Sequence, residues 1–124
     1  MTDRMNDVSQ KVGTELIFEN DRVRVWALVL HPGESSQFHR HENDYVFVHA
    51  TESQVKLHRR GQPDEVQSYE RHFVQALTVG SGIEHQITNV GSTLHDEILI
   101  EIKGPIRSPE PLSPESNNRF RLVR

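Results

Sequence analysis

Apolar residues in this chain form short runs, some alternating with polar residues, that are separated by turn-forming residues. The runs cover residues 16–18, 23–30, 36–41, 45–49, 55–58, 66–69, 72–79, 84–88 and 98–102. Alternation with period two and short apolar runs between turn residues are typical of β-strands. No window of ten or more residues has the apolar spacing and caps of a helix. The pattern predicts an all-β chain of short strands arranged as a sandwich or jelly roll.

The 124 residues suit one domain with a hydrophobic core. Residues 1–13 are polar and aperiodic, which predicts a flexible N-terminal tail before a β-barrel over residues 14–104. Residues 105–124 are rich in proline, which predicts an extended surface segment. Residues 119–123 alternate again and are interpreted as a possible edge strand or dimer contact, so a homodimer is expected.

Charge and composition exclude several classes of partner. The net charge of −4 gives no indication of nucleic-acid binding, which usually needs a basic surface. No apolar run has the roughly 20 residues that span a bilayer, and no signal sequence is evident, so a cytoplasmic protein without membrane contact is expected. The chain has no cysteine, so any metal must be bound through nitrogen and oxygen.

Three of the eight histidines have a spacing that suggests a shared site. His39 and His41 are separated by one residue, so both side chains lie on one face of a strand. His85 follows Gly82 in another predicted strand. Imidazole nitrogens that converge in this way can hold a transition metal. For an isolated His-x-His pair, two exposed or hydrogen-bonded histidines would be the more common outcome.

The motifs around these histidines resemble those of a known family. The pattern Gly33-x5-His39-x-His41-x3-Tyr45 is similar to the first motif of the cupins, Gly-x5-His-x-His-x3-4-Glu-x6-Gly. The pattern Gly80-x-Gly82-x2-His85-x3-Asn89 is similar to the second, Gly-x5-Pro-x-Gly-x2-His-x3-Asn. The order and separation of the motifs resemble those of small single-domain bacterial cupins over residues 14–104.

The resemblance implies a cupin-type jelly-roll β-barrel, also called a double-stranded β-helix. It implies one divalent transition metal, such as iron, manganese, nickel or zinc, with His39, His41 and His85 as its imidazole ligands. Tyr45 stands where the family has its glutamate ligand, and a phenol that ionises near pH 10 is a poor substitute. The glycine that closes motif one is replaced by Glu52, and motif two has Gly80 for its proline and Val74 for its first glycine.

Three alternatives for the metal centre follow from these departures. The centre is a three-histidine site, or Glu42, Asp44 or water completes the coordination, or the metal binds weakly or not at all. A three-imidazole centre leaves open positions that suit chelation of substrate, Lewis-acid polarisation or dioxygen binding.

Two functions from different classes follow. The first is a metal-dependent enzyme acting on a small oxygen-bearing metabolite, and the resemblance favours dioxygenase chemistry at a mononuclear three-histidine centre. In this interpretation Tyr45 and His49 are the catalytic residues that orient substrate or move protons. Isomerase, decarboxylase and hydrolase chemistry are alternatives. The second function is a non-catalytic cupin that binds a small ligand and has a structural or vestigial metal site.

The other polar and aromatic side chains receive structural interpretations. His49 is expected to face inward, and Asn89 is expected to stabilise its turn. The residues expected in the core are Trp26, Phe38 and Phe47. The residues expected at the surface are His31, His58, His72 and His95, with Glu97 and Glu101 on a solvated or interface face.

Overall fold

The computed structural model describes residues 8–104, which form nine β-strands and no helix. The strands are β1 (Glu15–Glu19), β2 (Val23–Leu30), β3 (His39–His41), β4 (Tyr45–His49), β5 (Ser53–His58), β6 (Glu65–Tyr69), β7 (Val74–Leu77), β8 (Ile83–Asn89) and β9 (His95–Ile102). Within this described part of the chain, no helix is long and apolar enough to cross a membrane.

The strands build two antiparallel sheets that enclose one core. The first sheet has the order β1-β2-β9-β4-β7, and the second has the order β3-β8-β5-β6. Buried apolar side chains fill the interior: Val12, Trp26, Leu28, Leu30, Tyr45, Phe47, Val79 and Leu99. The predicted all-β class and jelly-roll barrel are confirmed.

Part of the predicted N-terminal tail is packed against the barrel. The Val12 side chain is buried in the core. Ser9 bridges to the start of β3, where its amide donates to the Phe38 carbonyl and its carbonyl accepts from the Arg40 amide. A flexible tail therefore does not describe residues 8–13. Residues 1–7 and the predicted proline-rich extension over 105–124 lie outside the described residues.

Strand β9 turns its polar residues inward, which contradicts the sequence-based expectation. His95, Glu97 and Glu101 are buried with 1, 5 and 2% of their surface exposed, so the predicted surface positions for all three are wrong. Each has a polar partner inside the barrel: His95 Nε2 lies 2.7 Å from Glu97 Oε1, and Trp26 Nε1–H donates to Glu101 Oε1 over 2.8 Å. Buried polar groups with such partners avoid the cost of an unmade hydrogen bond.

The opposite face of the first sheet is apolar and partly exposed. Residues paired across β2, β9 and β4 share this outer sheet face, as Ile100 does with Val25 and Val46. The outer sheet face consists of Val23, Val25, Ala27, Val29, Val46, Val48, Ile98, Ile100 and Ile102, all of them partly exposed. On the neighbouring edge strand β1, Phe18 is 54% exposed.

Phe38 lies outside the core, so its predicted core position is wrong. Its ring is partly exposed and packs edge-on against His58, with the Arg60 guanidinium 4.6 Å from the ring centroid. Trp26 and Phe47 do belong to the core.

Candidate metal centre

Neighbouring strands β3 and β8 bring His39, His41 and His85 together. His39 is directly opposite His85 in the antiparallel register, so the two side chains lie on the same face of the sheet. His41 lies two residues further along β3 and therefore points to the same side. These three residues are called the histidine triad below. The pairing explains how ligands so far apart in sequence converge.

The Nε2 atoms of the histidine triad converge on one point. His39 Nε2 lies 3.1 Å from His41 Nε2, which lies 3.2 Å from His85 Nε2. Two nitrogens that each lie about 2.0–2.1 Å from one ion, at angles between octahedral and tetrahedral, are about 2.8–3.4 Å apart. The three side chains are 1, 1 and 8% exposed. The donor set and its spacing therefore fit a divalent transition metal.

The hydrogen-bonding state of the triad also suits a metal. His39 Nδ1 lies 2.8 Å from the Gln37 carbonyl, which can only accept, so Nδ1 carries the proton and Nε2 has a free lone pair. Burial and the neighbouring imidazoles lower the pKa of His41 to about 2, and burial followed by the charge of His39 lowers the pKa of His85 to about 3. Burial also lowers the pKa of His39. The imidazoles are thus neutral near pH 7, as metal ligands must be.

Tyr45 lies beside the triad, where the family motif has glutamate. Its ring stacks on His41, with centroids 4.1 Å apart and planes inclined by 14°. Burial raises the pKa of the Tyr45 phenol, so it remains protonated. The two carboxylates considered as ligands have other partners: exposed Glu42 accepts from Arg40 Nε, and Asp44 Oδ1 accepts from the Val79 amide. The structure therefore favours a centre of three imidazoles.

The glycine before His85 is explained by a close contact. Gly82 has a φ of +117°, a conformation that L side chains rarely adopt. A Cβ atom there would also collide with the Arg40 guanidinium. Arg40 donates to the Ser81 carbonyl and to Glu84 Oε2, which ties β3 to the turn that precedes β8. Gly82 thus allows the two strands that carry the triad to be joined.

Asn89 stabilises the turn after β8, as predicted. Its fully buried side chain donates to the carbonyls of Leu30 and Thr93, and its Oδ1 accepts from the Gly91 amide.

A cavity of about 200 Å³ extends from the triad into the barrel. Its volume is below the range of pockets for drug-sized ligands, which indicates a small ligand. Most of the wall is apolar or aromatic, and Tyr45 and Phe47 lie between the triad and a second polar group.

The second polar group contains three residues that sequence reasoning did not assign to the site. Ser53, His95 and Glu97 are buried beside His49, which faces inward as predicted. His49, Ser53, His95 and Glu97 are called the inner polar row. The alternation of side chains along β9 was the available signal. His95 and Glu97 lie on the same face of β9 as the core residue Leu99, and the isoleucines lie on the opposite face.

Comparison with known proteins identifies the fold. No family model matches the chain, and no curated protein matches it. A cupin domain from Bordetella pertussis Tohama I has a TM-score of 0.65 and 28% identity, over 72% of this chain and 90% of that one. An RmlC-like cupin family protein with a double-stranded β-helix fold from Methanocaldococcus jannaschii has a TM-score of 0.58 and 15% identity, over 77% and 86% of the two chains.

A third solved structure with a similar fold is described as an enzyme. A sugar phosphate isomerase of a cupin superfamily from Silicibacter pomeroyi has a TM-score of 0.51 and 17% identity, over 68% of this chain and 52% of that one. At this identity the likeness concerns the fold alone. The structure is that of a cupin barrel with a buried cluster of metal-type donors. The chain has the fold of the cupin superfamily.

Proposed function

We propose that this chain is a metal-dependent cupin enzyme that acts on a small oxygen-bearing metabolite, with dioxygenase-type chemistry at a mononuclear three-histidine centre. The observation that carries the proposal is the convergence of three neutral imidazole Nε2 atoms at 3.1 and 3.2 Å beside a small cavity. Iron, manganese, nickel and zinc all accept imidazole ligands. A bound divalent ion would supply Lewis-acid polarisation and open positions for oxygen ligands.

The protein side chains give this cavity its selectivity. His39, His41 and His85 hold the centre, and a wall of mainly apolar and aromatic side chains surrounds the cavity beside it. The Tyr45 phenol, which burial keeps protonated, donates a hydrogen bond to a substrate oxygen. His49, in the wall beyond Phe47, accepts or returns a proton. No carboxylate belongs to the histidine triad itself.

Metal content of the untagged protein tests the proposal. Wild type is expected to contain, or to take up from Fe(II), Mn(II), Ni(II) or Zn(II), one ion per chain. The double variant His39→Ala/His85→Ala should lose it. The control is His31→Ala/His58→Ala, which removes two imidazoles outside the triad. Equal metal content in the two double variants, or none in the wild type, would sink the metal-dependent function.

A non-catalytic ligand-binding cupin is the competing outcome. It would bind one ion and small oxygen-bearing ligands but consume no dioxygen with any member of a panel of diketones, hydroxyketones and hydroxy acids. Oxygen-electrode measurements on the metal-loaded protein separate this outcome from a dioxygenase.

We also propose that the chain forms a homodimer. The partly exposed outer sheet face and the exposed apolar side chains of β1 support this. Contiguous apolar surfaces of this kind usually mark protein contacts. Covering the edge strand β1 would also protect its unpaired backbone groups.

A further inference from the structure

The inner polar row connects four buried side chains into one chain of contacts. Glu97 Oε1 lies 2.7 Å from His95 Nε2, and His95 Nδ1 lies 2.9 Å from Ser53 Oγ. Ser53 Oγ lies 3.3 Å from His49 Nδ1. His49 Nε2 is buried and has no hydrogen-bond partner among residues 8–104. The row thus runs from a buried carboxylate to an imidazole that lines the cavity beyond the histidine triad.

When Glu97 is ionised, the chemistry of these groups determines where the protons lie. An ionised Glu97 can only accept, so His95 Nε2 carries a proton and, in neutral His95, Nδ1 is an acceptor. Ser53 must then donate its single hydroxyl proton to His95 Nδ1. Its oxygen accepts from His49 Nδ1–H. The remaining nitrogen, His49 Nε2, is left with a free lone pair.

We propose that the inner polar row is a proton relay whose base is His49 Nε2, and that the cavity accepts an enolisable substrate with a C–H bond beside a carbonyl. This inference rests on the proposed function for the presence of a small oxygen-bearing substrate in the cavity. It adds Ser53, His95 and Glu97 as residues that position the base and store the proton.

The proposed step conserves every proton. As the substrate C–H bond breaks, its electron pair stays on the substrate as an enolate and its proton forms a bond to His49 Nε2. The Nδ1 proton of His49 passes to Ser53 Oγ, and the Ser53 hydroxyl proton passes to His95 Nδ1. The extra proton is held by the His95–Glu97 pair. Its return along the same row, to the same carbon or to a neighbouring one, reprotonates the substrate without any oxidant.

Burial favours a relay over a charged His49. Burial and the nearby His95 lower the pKa of His49 to about 4, which disfavours an imidazolium there. Burial raises the pKa of Glu97, which favours a shared proton at the other end of the row. Tyr69 stacks on His49 with centroids 4.2 Å apart, and Tyr45 lines the same cavity. Burial raises the pKa of both phenols, so neither competes for the proton.

Nitrogen-15 NMR of protein with labelled histidines reports the tautomer of each imidazole and tests the relay directly. The variants His49→Gln and His95→Gln assign the signals. At neutral pH the expected tautomers are Nδ1–H for His49 and Nε2–H for His95. On acidification His49 should switch to the Nε2–H tautomer and stay neutral, and Ser53→Ala should abolish the switch. Ser68→Ala, at an exposed serine of β6, is the control. An Nε2–H tautomer of His49 at neutral pH, or an imidazolium at a pH above the His49 pKa of about 4, would overturn the relay.

Deuterium exchange tests the substrate class on the same protein. In D2O the wild type should catalyse the exchange of the C–H protons of hydroxyacetone for deuterium, which is measured by the loss of their proton NMR signals. Glu97→Gln and Ser53→Ala should each lower the rate on the order of 100-fold, a typical contribution of general acid–base catalysis, with metal content unchanged. Glu52→Gln, at an exposed carboxylate, should exchange as wild type does. No exchange by wild type would overturn the enolisable substrate.

Metal analysis keeps this inference distinct from the proposed function. Two ions per chain, with the second lost in Glu97→Gln, would make the inner polar row a metal site and overturn the relay. A wild type without metal that shows the predicted tautomers would sink the proposed function and leave the relay standing.

Discussion

Replacing Asn89 by alanine should destabilise the barrel strongly. The buried amide makes three hydrogen bonds to backbone groups, on the carbonyls of Leu30 and Thr93 and on the Gly91 amide, at 2.8–2.9 Å. At about 1 kcal/mol for each bond, and somewhat more for buried groups left unpaired, the free energy of unfolding should fall by about 3–4 kcal/mol. That is a large part of the roughly 5–15 kcal/mol that holds a typical domain together.

Urea unfolding followed by tryptophan fluorescence measures this change, because Trp26 is the single tryptophan and lies in the core. Asn20→Ala is the matched control, since its exposed amide oxygen accepts from two backbone amides in a turn. It should cost about 1 kcal/mol, as exposed caps and turns do. If Asn89→Ala costs no more than Asn20→Ala at an unchanged denaturant slope, then the buried turn does not stabilise the fold as reasoned.

Other predictions concern acidity, the motif glycine and assembly. The pKa values of the three triad histidines are lower in the folded state than in the unfolded one. Because the unfolded chain then binds more protons, the free energy of unfolding of the metal-free protein should decrease as the pH falls below about 6.5. The decrease should be up to about 1.4 kcal/mol per pH unit for each histidine. A urea midpoint that stays constant between about pH 7.5 and 5 would contradict this. Gly82→Ala should cost about 1–3 kcal/mol in urea unfolding because of its backbone conformation and the contact with Arg40. Gly80→Ala, with no atom within 4 Å of its Cβ position, should cost less. Ile100→Glu on the outer sheet face should convert the proposed dimer to a monomer in light scattering, whereas Val66→Glu on the other sheet should not.

The histidine triad was predictable partly from local rules and partly from the family resemblance. Parity places His39 and His41 on one face, and the motif glycines place His85 on a following strand. The structure confirms the fold and shows the antiparallel register that sets His39 opposite His85. That register cannot be read from the chain itself, and it was the family resemblance that linked the two motifs.

The inner polar row was missed because alternation shows which residues share a face but not which face is inside. In β9 the glutamates were expected on a solvated or interface face, the usual arrangement for polar residues of a strand with one solvated face. The structure places both glutamates inside. Glu101 is buried because Trp26 donates to it, and the isoleucines lie on the outer sheet face. In β9 the polar side chains line a cavity inside the barrel and the apolar side chains lie on the outer surface, which is the reverse of the usual arrangement in a half-buried strand.

The short strand β3 has a consequence for how the barrel is held closed. It has three residues and pairs only with β8 and Ser9 within residues 8–104. His41 and His85 are 44 positions apart in the chain, so an ion shared by them would act as a crosslink that closes a long loop. Crosslinks over long loops restrict the unfolded chain most, as disulfides do. The chain has no cysteine and so forms no disulfide, but a metal ion at the histidine triad would provide a reversible crosslink of this kind.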